Sequence, residues 1–269
     1  MPKPAILQDE IMKIKDALEL KLREVVSLVG GGGKTTLMFA LANELAATGY
    51  HVVTTTTTKI MEPLPGESER LIVEPDIQEL VRKVIGELKT HRHITIAPEK
   101  FPSGKLESLS LEAVAALADL KQVDYLIIEA DGAARRPLKA PRDYEPVISP
   151  LTTTVIAVAG IDALGEKLAD EFVFRSDVAA MLLGMPLGTA VSPEMIAKLI
   201  TLPRGITKGS PPTARIVPFL NKVNLPDGVS KGRQVAREIL AVPHPQINMV
   251  LLGQAQLADP IVEIIRRGK

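Results

Sequence analysis

The sequence predicts an α/β protein in which a mostly parallel central sheet lies between two layers of helices. Short segments rich in valine, isoleucine and leucine alternate along the chain with longer segments whose apolar residues recur at helical spacing. Strands that alternate with helices form parallel sheets covered on both faces. The chain has no internal repeat and no low-complexity linker, so residues 1–269 are expected to form one domain.

Buried strands are the clearest of the predicted elements. Residues 24–29 (EVVSLV) and 125–129 (YLIIE) are short, largely β-branched runs, which is typical of strands buried on both faces. The same criteria predict five further strands, at 52–59, 94–97, 154–159, 216–220 and 249–252.

The longest convincing helix is predicted at residues 34–47, where leucines recur every four positions and Gly49 follows as a cap. Ser192 and Pro193 begin another helix, since serine caps N-termini and proline favours the first helical position. Further helices are predicted at 8–20, 76–90, 110–120, 233–240 and 260–267. The irregular stretches 132–150 and 202–213 are expected to be functional loops for a substrate or a partner.

The composition excludes several classes of function. Lys+Arg and Asp+Glu balance at 32 each, so overall charge does not recruit nucleic acid or an anionic membrane. The absence of cysteine excludes disulfides, thiolate metal sites and cysteine nucleophiles. No apolar stretch approaches the length of a membrane span, and residues 1–20 lack the apolar core of a signal peptide. The cytoplasm is the expected location.

The run GGGGKTT at residues 30–36 lies between a predicted buried strand and the helix at 34–47. Glycines let successive N–H groups point inward as an anion-binding nest, and a helix N-terminus adds partial positive charge. We therefore predict a P-loop NTPase fold in which Lys34 reaches the phosphates of ATP or GTP and Thr35 ligates Mg²⁺. The predicted nucleotide-binding residues of this loop are Gly30, Gly31, Gly32, Gly33, Lys34, Thr35 and Thr36.

The spacing within this loop is that of the deviant-Walker class. Leu28 stands where the standard loop has its first glycine, and Val29 stands where many members of the class carry a signature lysine. Such proteins often dimerise around nucleotide, and Val29 weakens the case for a homodimer without excluding it. A dinucleotide-binding dehydrogenase is the weakest alternative, because threonines stand where its third glycine is needed.

Two segments resemble the switch elements of nucleotide hydrolases. Glu129 and Asp131 are two residues apart at a strand end, so we expect both to face the metal and the attacking water. One would reach Mg²⁺ and the other would orient or activate the nucleophile. The threonine run 54–58, followed by Lys59, occupies the first-switch position, and Thr58 is a predicted Mg²⁺ ligand. The alternative for this run is a β-prone surface strand.

Asn221-Lys222-Val223-Asn224 resembles the Asn-Lys-x-Asp motif with which GTPases bind guanine. An aspartate accepts both guanine N–H donors, which Asn224 cannot do. Asn221 is predicted to contact the base edge and the Lys222 stem to cover the ring, but the choice between ATP and GTP stays open.

These motifs together resemble the YqeC family, accessory proteins of selenium-dependent molybdenum hydroxylases. The residues that carry the resemblance are 30–39, 54–59, the block 129–141 (EADGAARRPLKAP) with Glu145-Pro146, and the segments 158–165, 204–209 and 220–222. The resemblance implies a nucleotide-driven role in maturing a molybdenum or selenium cofactor. It also implies, as partners, a hydroxylase or its cofactor-maturation proteins.

Basic residues in the two irregular stretches are the remaining candidates. Arg135 and Arg136 are predicted to stabilise transition-state charge on the nucleotide, and Lys139, Arg204 and Lys208 to bind an anionic substrate. Three functions follow: an NTPase that drives cofactor maturation, a small-molecule kinase, and a nucleotide-sensing module with negligible turnover. His91 and His93 have no third ligand in view and are expected to be exposed surface histidines.

Overall fold

The computed structural model describes residues 12–268, and its centre is a nine-stranded sheet. The strands run in the order β13-β12-β11-β9-β1-β7-β2-β5-β4, and β13 alone is antiparallel to its neighbour. This confirms the predicted α/β class with a mostly parallel sheet. The strands of this sheet are β1 Glu24–Gly30, β2 Val52–Thr56, β4 Arg70–Val73, β5 His93–Ala97, β7 Tyr125–Glu129, β9 Thr154–Gly160, β11 Arg215–Asn221, β12 Met249–Gly253 and β13 Ile261–Arg266. Four two-residue strands form two small ribbons: β3 Ile60–Met61 with β6 Lys105–Leu106, and β8 Leu138–Lys139 with β10 Val173–Phe174.

Seven α-helices surround the sheet within the described residues. They are α1 Ile14–Ala17, α2 Lys34–Ala47, α3 Ile77–Glu87, α4 Leu111–Ala118, α5 Ser176–Leu183, α6 Pro193–Thr201 and α7 Gly228–Ala241. The predicted helix 34–47 is confirmed at both ends, and the Ser192 hydroxyl caps α6 by accepting from the N–H of Met195. Residues 8–11 of the predicted opening helix lie outside the described residues. Over the part of the chain that the structure covers, no helix is long and apolar enough to cross a membrane.

Alternate residues of the central strands face two helical layers. In β1, Val26 and Leu28 pack with α1 and α2, whereas Val25 and Val29 point to the opposite face. On that second face α3 and α4 cover β2, β5 and β7, while α5, α6 and α7 cover β9, β11 and β12. The sheet is the middle of three layers, as the alternation of buried strands with helices predicts.

The structure corrects two sequence predictions of secondary structure and adds elements that are not predicted. A helix is predicted at 260–267, but Ile261–Arg266 form strand β13, because their backbone pairs antiparallel with β12 from Met249 to Gly253. The strand predicted at 52–59 ends at Thr56, where Thr57 turns to bond the carbonyl of Glu129. Strand β4 and helix α5 are not predicted from the sequence at all.

The candidate functional residues gather at one edge of the sheet. The carboxyl ends of five consecutive parallel strands meet there, namely β12, β11, β9, β1 and β7. The loops that leave these ends carry the glycine run, the acidic pair and the Asn-Lys pair. Ligands of open α/β sheets bind at this edge, and β1 lies where successive crossovers change direction.

Candidate functional site

The glycine run forms a tight loop between β1 and α2 whose first three N–H groups bond within the protein. Gly30 N–H donates to the Asp131 carboxylate (3.1 Å), Gly31 N–H to the Val158 carbonyl (3.0 Å) and Gly32 N–H to the Arg136 carbonyl (2.9 Å). Within residues 12–268, the next four N–H groups find no acceptor; they belong to Gly33, Lys34, Thr35 and Thr36. Four unpaired N–H groups at the first turn of a 14-residue helix are donors that could hold an anion.

Two of the glycines are required by the geometry of this loop. Gly32 has φ +80°, and a side chain there would lie 2.5 Å from the backbone nitrogen of Gly160. Gly33 has φ +126°, and its added Cβ would lie 2.3 Å from the Asn221 side-chain nitrogen. The loop must therefore be glycine where it turns its N–H groups outward.

Lys34 and the acidic pair meet beside the loop. The Lys34 ammonium donates to the Gly30 carbonyl (2.6 Å) and lies 3.2 Å from Asp131 Oδ1 and 3.6 Å from Glu129 Oε1. The Thr35 hydroxyl donates to Glu129 Oε2 (2.7 Å). Both predicted acidic residues therefore reach Lys34, although β7 ends at Glu129 and only that residue lies on the strand.

A second buried lysine holds the other oxygen of Asp131. The Lys139 ammonium lies 3.1 Å from Asp131 Oδ2 and donates to Glu145 Oε2 (2.8 Å) and the Gly132 carbonyl (2.6 Å). Glu145 in turn accepts from both terminal nitrogens of Arg175. The result is a continuous run of alternating charges, Glu129–Lys34–Asp131–Lys139–Glu145–Arg175, which we call the ionic chain.

The ionic chain places Lys139 differently from its sequence prediction. Its side chain is fully buried and its three donors face three acceptors, so a substrate could be bound only by breaking these contacts. We therefore assign Lys139 to the framework of the site. Two members of the ionic chain, Glu145 and Arg175, are not predicted from the sequence as charged partners. Glu145 could have been found in the block that resembles the YqeC family, but nothing in the sequence singles out Arg175.

Burial and charge shift the pKa of three members of this chain. Burial alone would lower the pKa of Lys34, but attraction to Asp131 and Glu129 outweighs it and raises the pKa above the usual value of lysine. Burial raises the pKa of Glu129, against the attraction of Lys34 and the hydrogen bond from Thr35. For Glu145, hydrogen bonds from Arg175 and Lys139 outweigh burial and lower the pKa. The pKa of Glu129 and the pKa of Glu145 are therefore shifted in opposite directions.

The residues beside the loop offer a partial ligand set for Mg²⁺. Thr35 and Glu129 present a hydroxyl and a carboxylate 2.7 Å apart, and such oxygen donors suit this ion. Asp131 is saturated, because its oxygens face the Gly30 N–H and two lysines. Within the described residues, no three His, Asp or Glu side chains gather as a metal site. The ion would therefore take its remaining ligands from phosphate and water.

The threonine run 54–58 is mostly structural. The hydroxyls of Thr54 to Thr57 are buried, and each bonds a neighbouring protein group. The hydroxyl of Thr58 has no partner among residues 12–268, and its oxygen lies 3.9 Å from a Cβ built on Gly132. It stands beside the segment that carries the acidic pair. Its role as an Mg²⁺ ligand stays a prediction.

Asn221 links three loops at the end of the sheet. Its amide donates to the Gly32 carbonyl (2.7 Å) and its oxygen accepts from the Ala255 N–H (2.9 Å). The side chain is buried, so it positions the glycine run, and only one amide hydrogen remains for a base. Lys222 lies beside it with its ammonium 2.5 Å from Asp162. The stem of Lys222 stays a candidate cover for a nucleobase.

The two predicted functional loops, 132–150 and 202–213, contact each other beside the glycine run. Lys208 donates to the carbonyls of Arg142 and Asp143 (2.8 and 3.0 Å), and the exposed Arg204 pairs with Asp143 (3.3 Å). Ile206 of the same loop approaches within 2.9 Å of a Cβ built on Gly30. Both stretches therefore contact the loop that the sequence predicts to hold phosphate.

Arg135 and Arg136 have different surroundings. Arg135 is exposed, whereas Arg136 donates to the Asp170 and Ala134 carbonyls (2.6 and 3.1 Å). Arg135 is the freer of the two to meet an anion. Both catalytic assignments stay predictions.

The structure corrects the prediction for the histidine pair. His93 is fully buried between Thr54 Oγ1 (3.0 Å) and Asn43 Oδ1 (2.9 Å), and burial lowers its pKa to about 4. A neutral ring that donates to the asparagine and accepts from the threonine satisfies both nitrogens. His91 is half-buried against Glu87. These two histidines have structural partners.

Comparison with known proteins places the chain in a family. The model of the family described as "YqeC protein" matches residues 26–177, which is just over half of the chain. The chain is also 33% identical over 205 residues to the Escherichia coli (strain K12) protein described as "Uncharacterized protein YqeC". That similarity covers 74% of this chain and 75% of the relative. The matched region contains the glycine run, the acidic pair and the whole ionic chain. The chain belongs to the YqeC family.

Proposed function

We propose that the protein binds a nucleoside triphosphate with Mg²⁺ at residues 30–36 and hydrolyses it to drive cofactor maturation on a molybdenum- or selenium-dependent hydroxylase. The observation that carries this proposal is the set of four unpaired N–H groups from Gly33 to Thr36, beside the ammonium of Lys34. The triphosphate is the anion this site suits, because successive N–H groups, a helix N-terminus and a lysine converge on one place.

In this proposal the residues of the loop bind and orient the nucleotide. Lys34 exchanges the Gly30 carbonyl for phosphate oxygens, and Thr35 turns its hydroxyl from Glu129 to the metal. Bound Mg²⁺ would neutralise charge on the phosphates. Burial raises the pKa of Glu129, and its carboxylate lies beside Thr35 and Lys34, so it is the candidate for orienting the nucleophile. Arg135 supplies positive charge from the exposed side.

The role in cofactor maturation rests on the resemblance to the YqeC family. Two loops, 132–150 and 202–213, flank the phosphate site and present Arg135, Arg204 and Lys208. A partner enzyme or an anionic cofactor precursor would contact this side of the molecule. In this proposal the base, adenine or guanine, would contact Asn221 and the stem of Lys222.

The test is nucleotide binding and phosphate release with labelled ATP and GTP, each with and without Mg²⁺. Lys34→Ala is expected to weaken binding roughly 10- to 150-fold, the range for losing a hydrogen bond to a charged group. Lys121→Ala is the matched control, because Lys121 is exposed and lies between α4 and β7. Equal affinity of wild type and Lys34→Ala would overturn the proposal.

A second candidate is a nucleotide-sensing module that does not depend on hydrolysis. The ionic chain favours it, because Lys34 is connected through two carboxylates to Arg175, at the start of α5. Binding of phosphate by Lys34 would then be communicated without chemistry. If Glu129→Gln abolishes phosphate release but leaves maturation of the hydroxylase intact, sensing is sufficient. Phosphate transferred to a small molecule instead of to water would select the kinase alternative.

A further inference from the structure

The segment Ala133 to Pro137 lies directly on the phosphate loop. The carbonyl of Arg136 accepts from the Gly32 N–H (2.9 Å), and the next carbonyl, of Pro137, accepts from the Gly160 N–H (2.9 Å). A Cβ built on Gly31 would lie 2.8 Å from the Arg136 oxygen. The peptide group of Arg136 therefore contacts the glycine loop at Gly31 and Gly32, directly before the N–H groups at which phosphate is expected.

The hydrogen bond to Gly32 occupies a donor that an anion nest would use. Gly30 and Gly31 give their N–H groups to Asp131 and to β9, so they are part of the framework of the loop. Gly32 is the first N–H group whose acceptor comes from a surface segment. The Arg136 carbonyl therefore occupies the Gly32 N–H group, which would donate to a phosphate oxygen in the proposed nucleotide complex.

The same segment is strained and is held by an exposed anchor. Ala134 and Arg135 both have left-handed backbone angles (φ +46° and +61°), which cost side-chain-bearing residues free energy. The Arg136 guanidinium ties the segment to the Asp170 carbonyl (2.6 Å). This backbone strain favours release of residues 133–137 from the glycine loop once either of two hydrogen bonds is lost. These are the bond from Arg136 to the Asp170 carbonyl and the bond from Gly32 to the Arg136 carbonyl.

We infer that residues 133–137 form an autoinhibitory strap, which closes the phosphate loop with its own carbonyl and is displaced when nucleotide binds. This inference rests on the proposed nucleotide binding. On binding, the Gly32 N–H exchanges the Arg136 oxygen for a phosphate oxygen, and the freed carbonyl turns to water. The apparent affinity for nucleotide is then reduced by the fraction of molecules in which the strap is closed.

The strap gives two adjacent arginines opposite effects on nucleotide affinity. Arg136→Ala removes the anchor, raises the open fraction and is expected to tighten binding of Mg-nucleotide roughly 3- to 10-fold. Arg135→Ala removes the same charge one residue away without touching the anchor, and it is expected to weaken binding. If Arg136→Ala weakens binding or leaves it unchanged, the strap does not compete with nucleotide and the inference is wrong.

A direct measurement on the wild-type protein reports the position of the strap. Trypsin cleaves after Arg135 but not after Arg136, because proline follows Arg136. Release of the strap is expected to speed cleavage after Arg135 several-fold when Mg-nucleotide is added, although ligands usually slow proteolysis. Slower or unchanged cleavage at saturating nucleotide would overturn the strap alone. If calorimetry detects no nucleotide binding by the wild type, the proposed function fails, and the strap fails with it.

Discussion

Lys34 and Lys139 hold opposite oxygens of the same carboxylate, yet their surroundings differ. Lys139 has three acceptors within 3.1 Å, two of them carboxylate oxygens, and no exposed surface. Lys34 has one short bond, to a backbone carbonyl, and its two carboxylates lie 3.2 and 3.6 Å away. The carboxylate contacts of Lys34 are therefore longer than those of Lys139, and the N–H groups of Gly33 to Thr36 have no acceptor within residues 12–268. Under the proposed function, Lys139 belongs to the framework of the site and Lys34 exchanges its partners for phosphate.

The largest expected effect is loss of stability on removing Lys139. Lys139→Met is expected to lower the free energy of unfolding by roughly 3–5 kcal/mol, because Asp131 and Glu145 lose a buried counter-charge. Urea unfolding followed by circular dichroism measures this difference. Lys121→Met, at an exposed position, is the control and is expected to change stability by less than about 0.5 kcal/mol. A loss for Lys139→Met no larger than that of the control would remove the distinction between the two lysines.

Removing Lys34 is expected to have a smaller effect on stability. Lys34→Met should cost roughly 1–2 kcal/mol, because Asp131 keeps Lys139 and the Gly30 N–H, and Glu129 keeps the hydrogen bond from the Thr35 hydroxyl. The same urea titration gives the comparison directly. If Lys34→Met destabilises the protein as much as Lys139→Met, then Lys34 is a framework residue too, and its proposed exchange with phosphate loses support.

The smallest effects, and the sharpest in sign, concern the two glutamates beside these lysines. The pKa of Glu145 is lowered on folding, so its stabilisation is present above the unfolded pKa and is lost as pH falls. The pKa of Glu129 is raised, so its stabilisation is complete below the unfolded pKa and is lost as pH rises through the folded value. At pH 7.5 we expect Glu145→Gln to destabilise by about 1 kcal/mol and Glu129→Gln to be neutral or stabilising.

Unfolding at pH 7.5 and pH 4 tests both signs with the same variants. The difference between Glu145→Gln and wild type should shrink at the lower pH, and any gain from Glu129→Gln should shrink there as well. Destabilisation by Glu129→Gln at pH 7.5 that grows with pH would show that the carboxylate is held by Lys34 as firmly as Glu145 is held by Lys139.

The sequence predicts well what depends on neighbouring residues. The strand at 125–129, the helix at 34–47 and the cap at Ser192 follow from local hydrophobic spacing and capping chemistry, and the structure has them at those positions. The glycine loop joins β1 to α2 as predicted because its backbone angles depend on glycine alone. Whether it binds nucleotide stays a prediction.

The sequence predicts poorly what depends on distant pairing. The apolar pattern of 260–267 fits either period, and only pairing with β12 makes it a strand. The end of the ionic chain follows the same rule, since Arg175 joins Glu145 from 30 residues away, although Lys139 itself finds Glu145 six residues along the chain. The sequence therefore predicts that Lys139, a basic residue after an acidic pair, binds a substrate. In the folded chain its charge is already balanced by Asp131 and Glu145.

The ionic chain contains three cations and three anions, and the burial of its central members governs how these ion pairs respond to salt. Mobile ions screen charges that they can approach, so exposed pairs such as Arg204 with Asp143 weaken as ionic strength rises. Salt cannot enter the space between Lys34, Asp131 and Lys139, whose side chains are almost fully buried. The phosphate loop therefore keeps its supporting charges in place across a wide range of salt concentration, while the loops above it loosen.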